Sequence, residues 1–213
     1  MEIRWPPKNR DVTVRRVRDI LASSVGLAII WPLILLLAAL VKLDSPGPAI
    51  FKQKRVGYQG RPFTLYKFRT MVVGAEGQQP EIADFRTHKF EPLKPPSRDP
   101  RVTNMGWMLR RLSLDELPQL LNVLKGDMSL VGPRPERPHF VDQFRHYVPK
   151  YMDRHLVRSG LTGWAQINGQ RGQEGSIEER TRYDIYYIEN WSPLFDLRII
   201  IKTVLEVMIH PTN

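Results

Sequence analysis

Hydrophobic residues concentrate in one long run near the N-terminus and then recur with the shorter periods of strands and helices. The run, residues 20–41, contains no charged residue and is interrupted near its middle by Pro32. At ~1.5 Å of rise per residue, a helix of this length reaches about 33 Å, and the hydrocarbon core of a bilayer is ~30 Å thick. The pattern therefore predicts a membrane helix, for which Thr13 is the candidate N-cap.

Basic residues flank this run on both sides, so the positive-inside rule favours neither orientation. These cations are Arg10, Arg15, Arg16, Arg18, Lys42, Lys52, Lys54 and Arg55. A helix that enters the membrane, bends at Pro32 and leaves by the same face satisfies both flanks. A straight span and a cleaved signal peptide are the alternatives. Membrane helices tolerate proline, whereas no clear small-residue cleavage motif precedes Lys42.

Two β-rich stretches follow the strong turn at residues 44–48. They cover residues 49–56 and 62–71, and a glycine-containing loop at residues 57–61 separates them. This spacing predicts a β-hairpin with a longer loop.

Helical periodicity and glycine- or proline-rich segments alternate through the rest of the chain. The periodicity predicts helices over residues 103–112, 116–125, 139–147, 177–190 and 194–209. The last of these is apolar but too charged to span, so we expect an amphipathic helix that lies on the bilayer or packs as core. The other segments predict loops at residues 73–100, 132–138 and 160–175.

Together these elements predict an α+β fold with two parts. Residues 1–45 form an N-terminal lead and a re-entrant membrane helix. Residues 46–213 form a mainly helical domain that contains the β-hairpin and amphipathic interfacial helices.

The net charge of the chain limits the classes of partner that we expect. With 32 Lys and Arg against 22 Asp and Glu, the 213-residue chain carries a formal charge of +10. Such a balance favours anionic partners: phospholipid headgroups, phosphorylated substrates or nucleic acid. The chain contains no cysteine, which excludes disulfides, thiolate catalysis and cysteine-based zinc sites.

Adjacent carboxylates at Asp115 and Glu116 are the first candidates for chemistry. Ser113 and Glu116 have the spacing of a capping box, so an ordinary helix start explains them as well. Pro118 favours Asp115 as the N-cap, because proline fits the first turn, where no backbone donor is needed. The helix dipole would then favour ionised Asp115, and such a carboxylate can attack phosphorus or hold a metal ion.

Five cations are candidates for binding phosphate. Lys67 and Arg69 alternate about an apolar residue, which places them on one face of a strand. Arg101 and Arg134 lie on backbone stiffened by proline, which suits an oriented guanidinium. Arg110 lies one turn before the two carboxylates. Each cation alone is explained as a solvated charge in a turn, but their concentration in one chain predicts a phosphate-binding site.

Six motifs in this order resemble the bacterial sugar transferase family, the monotopic polyprenyl-phosphate phosphoglycosyl transferases. They are DSPGP at residues 44–48, KFRTM at 67–71, DPRVT at 99–103, LRRLSLDELPQ at 109–119, GDMSLVGPRP at 126–135 and GLTGWAQ at 160–166. The resemblance extends from about residue 13 to residue 202.

The resemblance implies transfer of a sugar-1-phosphate from a UDP-sugar to a polyprenyl (undecaprenyl) phosphate. This step initiates assembly of an exopolysaccharide, capsule, O-antigen or glycoprotein glycan. It also implies a covalent intermediate: Asp115 stands at the nucleophile position and would attack the β-phosphate, which releases UMP. Glu116 is its partner in the dyad, and both carboxylates are expected to hold Mg²⁺. Arg110 matches a phosphate-contacting position, and Arg134 lies in the Pro-Arg-Pro motif near the nucleotide.

By the same resemblance, residues 46–213 are a catalytic domain at the cytoplasmic face of the bacterial inner membrane, and Pro32 matches the break of a re-entrant helix. The family often has serine before this proline, and here Trp31 takes its place. The hydrogen bond that a serine hydroxyl makes to the backbone is lost, although Ser23 and Ser24 lie about two turns earlier. This departure bears on the geometry of the bend more than on the activity.

The expected partners are UDP-sugar, polyprenyl phosphate and anionic membrane lipid, and nucleic acid is not among them. A homodimer is compatible with the sequence. Longer relatives carry extra membrane helices and a further domain ahead of this unit. The chain is therefore expected to be a minimal member or the catalytic part of a larger protein.

Two other functions are open on the residues alone. A membrane-bound nucleotide-sugar hydrolase would use the same dyad with water as the acceptor. A membrane-anchored basic adaptor would bind anionic lipid or nucleic acid without chemistry, and the positive charge suits it equally well. The acidic dyad beside arginines has no part in the adaptor function.

Overall fold

The computed structural model describes residues 9–75, 99–170 and 176–209, and its first element is one long helix. This helix, α1 (Asn9–Asp44), has 36 residues. Thr13 lies inside it rather than at its start, so the predicted N-cap is wrong. The helix ends at the turn that follows, as predicted, and it continues through Pro32 without ending there.

Helix α1 packs on the rest of the protein near both of its ends and exposes apolar side chains between them. Asp19 and Ser23 are buried in its first half, and Leu37 and Val41 are buried in its second half. The exposed side chains between them are Val25, Ile29, Trp31, Leu33, Leu35 and Leu36. The helix is long and apolar enough to cross a membrane, which suits membrane association. The bend at Pro32 stays a prediction.

The predicted β-hairpin is confirmed. Strand β1 (Ile50–Val56) pairs antiparallel with β2 (Pro62–Phe68), with Ile50 opposite Phe68 and Val56 opposite Pro62. Strand β2 ends earlier than predicted, at Phe68, and Met71 forms only an isolated bridge with Val102.

The predicted helix after this segment is also confirmed. Helix α2 (Asn104–Arg111) begins after its N-cap Thr103, whose hydroxyl accepts a hydrogen bond from the amide of Gly106 at 3.0 Å. Gly106 is buried against the backbone of Thr70, so α2 lies close to the end of β2.

The helix predicted over residues 116–125 forms as two shorter elements. A 3₁₀ helix, Leu114–Gln119, leads into α3 (Leu120–Lys125), and Gly126 caps α3 in the left-handed conformation. The predicted end is therefore confirmed, but a single α-helix is not formed.

Asp115 is not the N-cap of this segment, so that prediction is wrong. Ser113 takes the N-cap position with φ 54°, and its side chain makes no capping hydrogen bond. Pro118 lies inside the 3₁₀ helix. Because proline donates no backbone hydrogen bond, it interrupts the ladder that a longer α-helix would need before Leu120.

A second, two-stranded sheet was not predicted. Strands β3 (Met128–Val131) and β4 (Ser159–Thr162) pair in parallel, although residues 160–175 were predicted to be a loop. Strands of four residues are too short for a period of two to stand out. A Cβ atom on Gly160 would overlap the backbone of Gly132, so glycine permits the close approach of these two segments.

The remaining predicted helices are confirmed as α4 (Pro138–Tyr147), α5 (Ile177–Glu189) and α6 (Pro193–Ile209). Helix α6 buries Asp196 and Ile199, and its predicted position on the bilayer stays a prediction. Its exposed apolar side chains are Leu194, Leu197, Ile201, Val204, Leu205 and Ile209. Parts of the predicted loops at 73–100 and 160–175 lie outside the described residues.

An apolar cluster joins the membrane helix to the elements that carry the candidate site. Phe68 of β2 and Leu109 of α2 are fully buried and pack with Leu37 and Val41 of α1. A second cluster joins β3 to α5 and α6. Because burial of apolar surface is the main stabilising contribution to folding, the first cluster fixes the hairpin and α2 relative to α1, and the second fixes β3 relative to α5 and α6.

Candidate active site

Asp115 and Glu116 lie on the 3₁₀ helix, against which both β2 and α2 pack. The left-handed backbone of Ser113 turns the chain from the end of α2 into this helix. Asp115 is buried, with 9% of its surface exposed, whereas the Glu116 side chain is 23% exposed. One carboxylate is therefore largely removed from water and the other lies at the protein surface.

Three of the predicted cations act on Asp115. Lys67 comes from β2, Arg110 from α2 and Arg134 from the loop after β3, and the positive charge of each lowers the pKa of Asp115. Elements that are distant in sequence thus converge on one acidic pair. The structure brings together three of the five candidates for phosphate binding.

The pKa of Asp115 is raised despite these cations. Burial raises it from the usual 3.8 to about 6, and repulsion from Glu116 adds to the rise. The expectation that a helix dipole would favour the ionised form is therefore wrong, because desolvation outweighs the favourable charges. A pKa near 6 leaves the carboxylate mostly ionised at neutral pH and makes it more basic than an exposed aspartate.

Glu116 forms an ion pair with Arg134. Nη2 of Arg134 donates a hydrogen bond of 2.7 Å to Oε1 of Glu116. The Glu116 charge raises the pKa of Arg134, so this guanidinium is always protonated. Because the Arg134 side chain is 35% exposed, its remaining donors can reach a ligand at the surface.

Lys67 is a partly buried cation whose charge depends on pH near neutrality. Burial lowers its pKa from 10.5 to about 8, although Asp115 opposes the shift. Its ammonium lies 5.3 Å from the centre of the Phe51 ring on the neighbouring strand. Lys67 therefore lies beside the Phe51 ring and close enough to Asp115 and Arg110 for their charges to act on it.

Arg110 is oriented by the end of β2. Its Nε donates a hydrogen bond of 2.9 Å to the hydroxyl of Thr70. Burial lowers the pKa of Arg110, and Asp115 is the first of the charges that oppose this shift. The guanidinium thus points toward the acidic pair from the last turn of α2.

Arg69 has a different role from the phosphate binding that we predicted. The residue is buried, and its guanidinium donates to the carbonyls of Val41, Ser45 and Pro46 at 3.1, 2.6 and 2.7 Å and to the Ser45 hydroxyl at 3.1 Å. It satisfies the carbonyl of Val41 in the last turn of α1, which has no partner within the helix, and two carbonyls of the turn that follows. Strand alternation predicted the face of Arg69 but not this partner.

Arg101 lies farther from the acidic pair. It forms a bidentate pair with Asp99, with hydrogen bonds of 3.0 Å from Nε and 2.8 Å from Nη2. Its positive charge acts on Arg110, so it lies at the edge of the group of cations. Phosphate binding by Arg101 stays a prediction.

Sequence reasoning missed three residues behind the Pro-Arg-Pro loop. Arg55, Glu136 and Arg154 bind the loop or each other there. Burial lowers the pKa of Arg55 to about 10. The bonds of Arg55 and Arg154 to the loop go to backbone carbonyls, and such acceptors leave no signature in a sequence.

The two carboxylates suit a magnesium ion that is completed by substrate. Within the described ranges, no three residues among His, Asp and Glu converge on a common point. Mg²⁺ commonly takes only one or two protein carboxylates and fills its other positions with water and substrate phosphates. Asp115 and Glu116 are adjacent and repel each other, and a divalent cation between them would relieve this repulsion.

Sequence comparison connects this site with known proteins. A sequence model described as bacterial sugar transferase matches residues 10–210. A protein of Aeromonas hydrophila named UDP-N-acetylgalactosamine-undecaprenyl-phosphate N-acetylgalactosaminephosphotransferase is 43% identical over 196 residues, which are 92% of this chain and 44% of that protein. This chain therefore spans less than half the length of that relative.

Other relatives are closer in length. A Caulobacter vibrioides protein named UDP-glucose:undecaprenyl-phosphate glucose-1-phosphate transferase is 45% identical over 193 residues, 89% of this chain and 68% of that protein. A Bacillus subtilis protein named as an uncharacterized sugar transferase is 41% identical over 196 residues, 92% of this chain and 88% of that protein. Because these matches cover nearly the whole chain, it belongs to the bacterial sugar transferase family.

Proposed function

We propose that this chain transfers a sugar-1-phosphate from a UDP-sugar to undecaprenyl phosphate, the reaction in the names of its relatives. One observation carries the proposal: buried Asp115 lies beside a second carboxylate and close enough to three cations for the charge of each to lower its pKa. Such a carboxylate can attack phosphorus, and the cations can hold the diphosphate that it attacks. The lipid-linked product would initiate assembly of a glycan.

In the first step, an oxygen of Asp115 attacks the β-phosphorus of the UDP-sugar. A bond forms between that oxygen and phosphorus, and the bond from phosphorus to the bridging oxygen breaks. UMP leaves with the bridging oxygen, and the sugar phosphate remains on Asp115 as an acyl phosphate. Lys67, Arg110 and Arg134 stabilise the charge that develops on the phosphoryl oxygens.

In the second step, an oxygen of undecaprenyl phosphate attacks the same phosphorus. The bond from phosphorus to the Asp115 oxygen breaks, which restores the carboxylate and gives the lipid diphosphate sugar. Each step exchanges one phosphorus–oxygen bond for another, so no oxidant, reductant or water is needed.

Asp115 and Glu116 would hold Mg²⁺ together with the donor phosphates. When bound, this ion would neutralise diphosphate charge and polarise the phosphoryl oxygens. The pairing of Glu116 with Arg134 at 2.7 Å keeps one carboxylate oriented beside the nucleophile.

We also propose that α1 enters the membrane and returns by the same face, with its bend at Pro32. The contacts of α1 support this topology: Arg16 donates to the carbonyls of Val123 and Leu124, while Asp44 accepts from the amide of Met105. Both ends of α1 thus bind one domain, and a straight span between two aqueous compartments would separate them. The site would then lie at the cytoplasmic face of the bacterial inner membrane.

The reaction is tested by measuring UMP release from UDP-glucose and UDP-N-acetylgalactosamine with Mg²⁺ and undecaprenyl phosphate. We expect release by the native protein and by the exposed-surface control Asp142→Asn, but not by Asp115→Asn. Mass spectrometry after incubation with donor alone should find the sugar phosphate on Asp115. Full turnover by Asp115→Asn contradicts the nucleophile, and free sugar phosphate formed without the lipid favours a hydrolase.

The topology is tested with single cysteines, because the native chain has none. Val14 and Lys42 are exposed positions near the two ends of α1. In inverted vesicles and in spheroplasts, Val14→Cys and Lys42→Cys should react with an impermeant thiol reagent from the cytoplasmic side alone. Reaction of the two cysteines from opposite sides would establish a straight span.

A further inference from the structure

The loop that carries Arg134 is held through its carbonyl oxygens. Two of its four residues, Pro133 and Pro135, donate no backbone hydrogen bond. Each residue from Pro133 to Glu136 nevertheless offers a carbonyl, and all four carbonyls accept a hydrogen bond from outside the loop. The position of the loop therefore depends on four external donors.

Two of these donors are backbone amides. The amide of Gly160 donates to Pro133 at 2.9 Å, and the amide of Val56 donates to Glu136 at 2.9 Å. These bonds fasten the first residue of the loop to β4 and its last residue to β1. A chain fastened only at its two ends can still rotate between them, and Arg134 lies between them.

The other two donors are guanidinium groups, and they bind the middle of the loop. Nη2 of Arg154 donates to the carbonyl of Arg134 at 3.0 Å, and Nη1 of Arg55 donates to the carbonyl of Pro135 at 3.0 Å. The two arginines come from different elements: Arg55 lies on β1, and Arg154 lies on a 3₁₀ helix, Tyr151–Leu156.

A buried carboxylate, Asp184, and a partly buried one, Glu136, lie beside these two guanidinium groups. Arg154 is 2% exposed and donates to Asp184 at 2.6 Å, and its Nη1 donates to the Tyr151 hydroxyl at 3.1 Å. Arg55 lies 3.8 Å from Glu136, which also accepts from Arg180 at 2.7 Å. Charged hydrogen bonds in buried surroundings are strong and directional.

We propose that Arg55 and Arg154 are positioning residues for phosphoryl transfer. We call this pair the loop brace. By fixing the carbonyls of Arg134 and of the next residue, the loop brace keeps the Arg134 guanidinium on Glu116 and aimed at the donor phosphates. This inference rests on the proposed function and extends it to two residues that act through the loop rather than on substrate.

The test uses Arg55→Met, because Arg55 can be removed without leaving a fully buried charge unpaired. A small displacement of a catalytic group can cost about 100-fold in rate, so we expect turnover to fall about 10- to 100-fold. The KM values for UDP-sugar and lipid should stay within about two-fold. Arg55→Lys should recover part of the rate, because its ammonium can still donate to the Pro135 carbonyl.

Arg158→Met is the matched control, because Arg158 is also half-buried and donates to a backbone carbonyl, that of Gly126, at 2.9 Å. Its turnover should stay close to native.

For Arg154, the variant Arg154→Lys keeps the charge opposite Asp184 but replaces the guanidinium fork by a single nitrogen. It should lower turnover with little change in KM.

A double-mutant cycle separates positioning from general stability. If the loop brace acts through Arg134, Arg55→Met should change turnover little in an Arg134→Met background. An undiminished loss in that background contradicts the proposal. An increase in KM with native turnover also contradicts it, because Arg55 would then bind substrate.

Hydrogen exchange distinguishes failure of this proposal from failure of the proposed function. Arg55→Met should speed exchange at the amides of residues 134, 136 and 137, and Arg158→Met should not. If the native protein releases no UMP, the proposed function fails while exchange still tests the loop brace. If the native protein is active but exchange in the loop is unchanged by Arg55→Met, only the loop brace is overturned.

Discussion

Arg134 and Glu116 are 18 residues apart in sequence, and a 2.7 Å hydrogen bond joins Nη2 of the first to Oε1 of the second. The bond connects the loop after β3 with the 3₁₀ helix that carries Asp115. The negative charge of Glu116 raises the pKa of Asp115, and the positive charge of Arg134 lowers it. By pairing with Glu116, Arg134 therefore offsets part of the repulsion between the two carboxylates. Arg134 thus couples the acidic pair to the place where a phosphate would bind.

Replacing Arg134 by methionine should lower turnover by about 100-fold, the usual cost of losing one group that stabilises transition-state charge. Arg134→Lys should recover only part of this loss, because an ammonium cannot make the two parallel bonds of a guanidinium. UMP release under saturating substrates measures both effects. Native turnover by Arg134→Met would show that Arg134 does not stabilise the transition state.

Replacing Asp115 by asparagine should stabilise the fold while it abolishes turnover. The pKa of folded Asp115, about 6, lies above the usual 3.8, so protonation favours the folded state. The stability linked to this proton is full below pH 3.8 and is lost as pH rises through 6. At about 1.4 kcal/mol per pKa unit, that loss is about 3 kcal/mol at most.

Thermal unfolding of native protein and Asp115→Asn in detergent without divalent metal measures this difference. The advantage of the variant should be absent near pH 3.8, should grow as pH rises toward 6 and should then become constant. Asp142→Asn is the control, because Asp142 is exposed and should show no such dependence. Equal stability of native protein and Asp115→Asn at pH 7.5 would contradict the burial cost.

The pH dependence of kcat/KM should be bell-shaped at limiting Mg²⁺, because this ratio reports ionisations of the free enzyme. Asp115 must be ionised to attack, so activity should rise through its pKa of about 6. Lys67 must be protonated to hold phosphate, so activity should fall as pH passes its pKa of about 8.

Lys67→Arg assigns the falling limb of this profile. Arginine stays protonated in this range, so the fall near pH 8 should disappear while the rise near pH 6 remains. The overall rate of this variant should be lower, because a guanidinium differs from an ammonium in shape. A falling limb that persists in Lys67→Arg would assign that limb to another group.

Local sequence patterns predicted the helices and strands that hold the site. They predicted less about which groups each side chain of the site contacts. Alternation and turn residues predicted the hairpin, and helical periodicity from residue 103 predicted α2, because these signals act between near neighbours. Arg69 was assigned to phosphate because alternation defines a face of the strand but not what lies opposite. Its partners are carbonyls at residues 41–46, and every residue type offers such an acceptor.

The same limit explains the error about the charge of Asp115. A capping position at a helix start predicts an ionised carboxylate from local geometry alone. The actual pKa depends on burial by β2 and α2, which are distant in sequence. The three cations could be selected from the sequence because strand spacing places Lys67, proline orients Arg134 and Arg110 lies one turn before the carboxylates. Their convergence required the fold.

Gly106 should be essential for the approach of α2 to the end of β2. A Cβ atom there would overlap the carbonyl group of Thr70. Thr70 also orients Arg110, because its hydroxyl accepts a hydrogen bond from Nε of Arg110. Gly106→Ala should therefore destabilise the protein by about 1–3 kcal/mol, as overpacking does, and should lower turnover as well. Thermal unfolding and UMP release measure the two effects.

Gly26→Ala is the matched control for this substitution. It also lies in a helix, but a Cβ atom there would lie 3.7 Å from Cδ1 of Leu120, which is ordinary contact. Because alanine favours helix more than glycine does, its stability should be unchanged or slightly higher. Equal destabilisation by both substitutions would refute the specific overlap at Gly106.

Asp196 on α6 anchors the first half of α1. This fully buried carboxylate pairs with Arg18 and accepts hydrogen bonds from the Tyr187 hydroxyl at 2.7 Å and from Nε1 of Trp191 at 2.9 Å. Arg18 also bonds Asp19 at 2.8 Å. The contact matters for topology, because it fixes the start of the membrane helix to the same domain as its end.

Replacing Asp196 by alanine should cost about 3 kcal/mol or more, because it leaves Arg18, the buried Tyr187 hydroxyl and the partly buried Trp191 without this acceptor. The loss should act on α1 first, so amides near residue 18 should exchange faster before the rest of the domain opens. Hydrogen exchange with thermal unfolding measures both effects. Asp142→Ala is the control, since its exposed pair with Arg145, at 3.6 Å, should contribute less than ~0.5 kcal/mol. If α1 exchanges at the native rate in Asp196→Ala, the helix is held by its apolar contacts and not by this carboxylate.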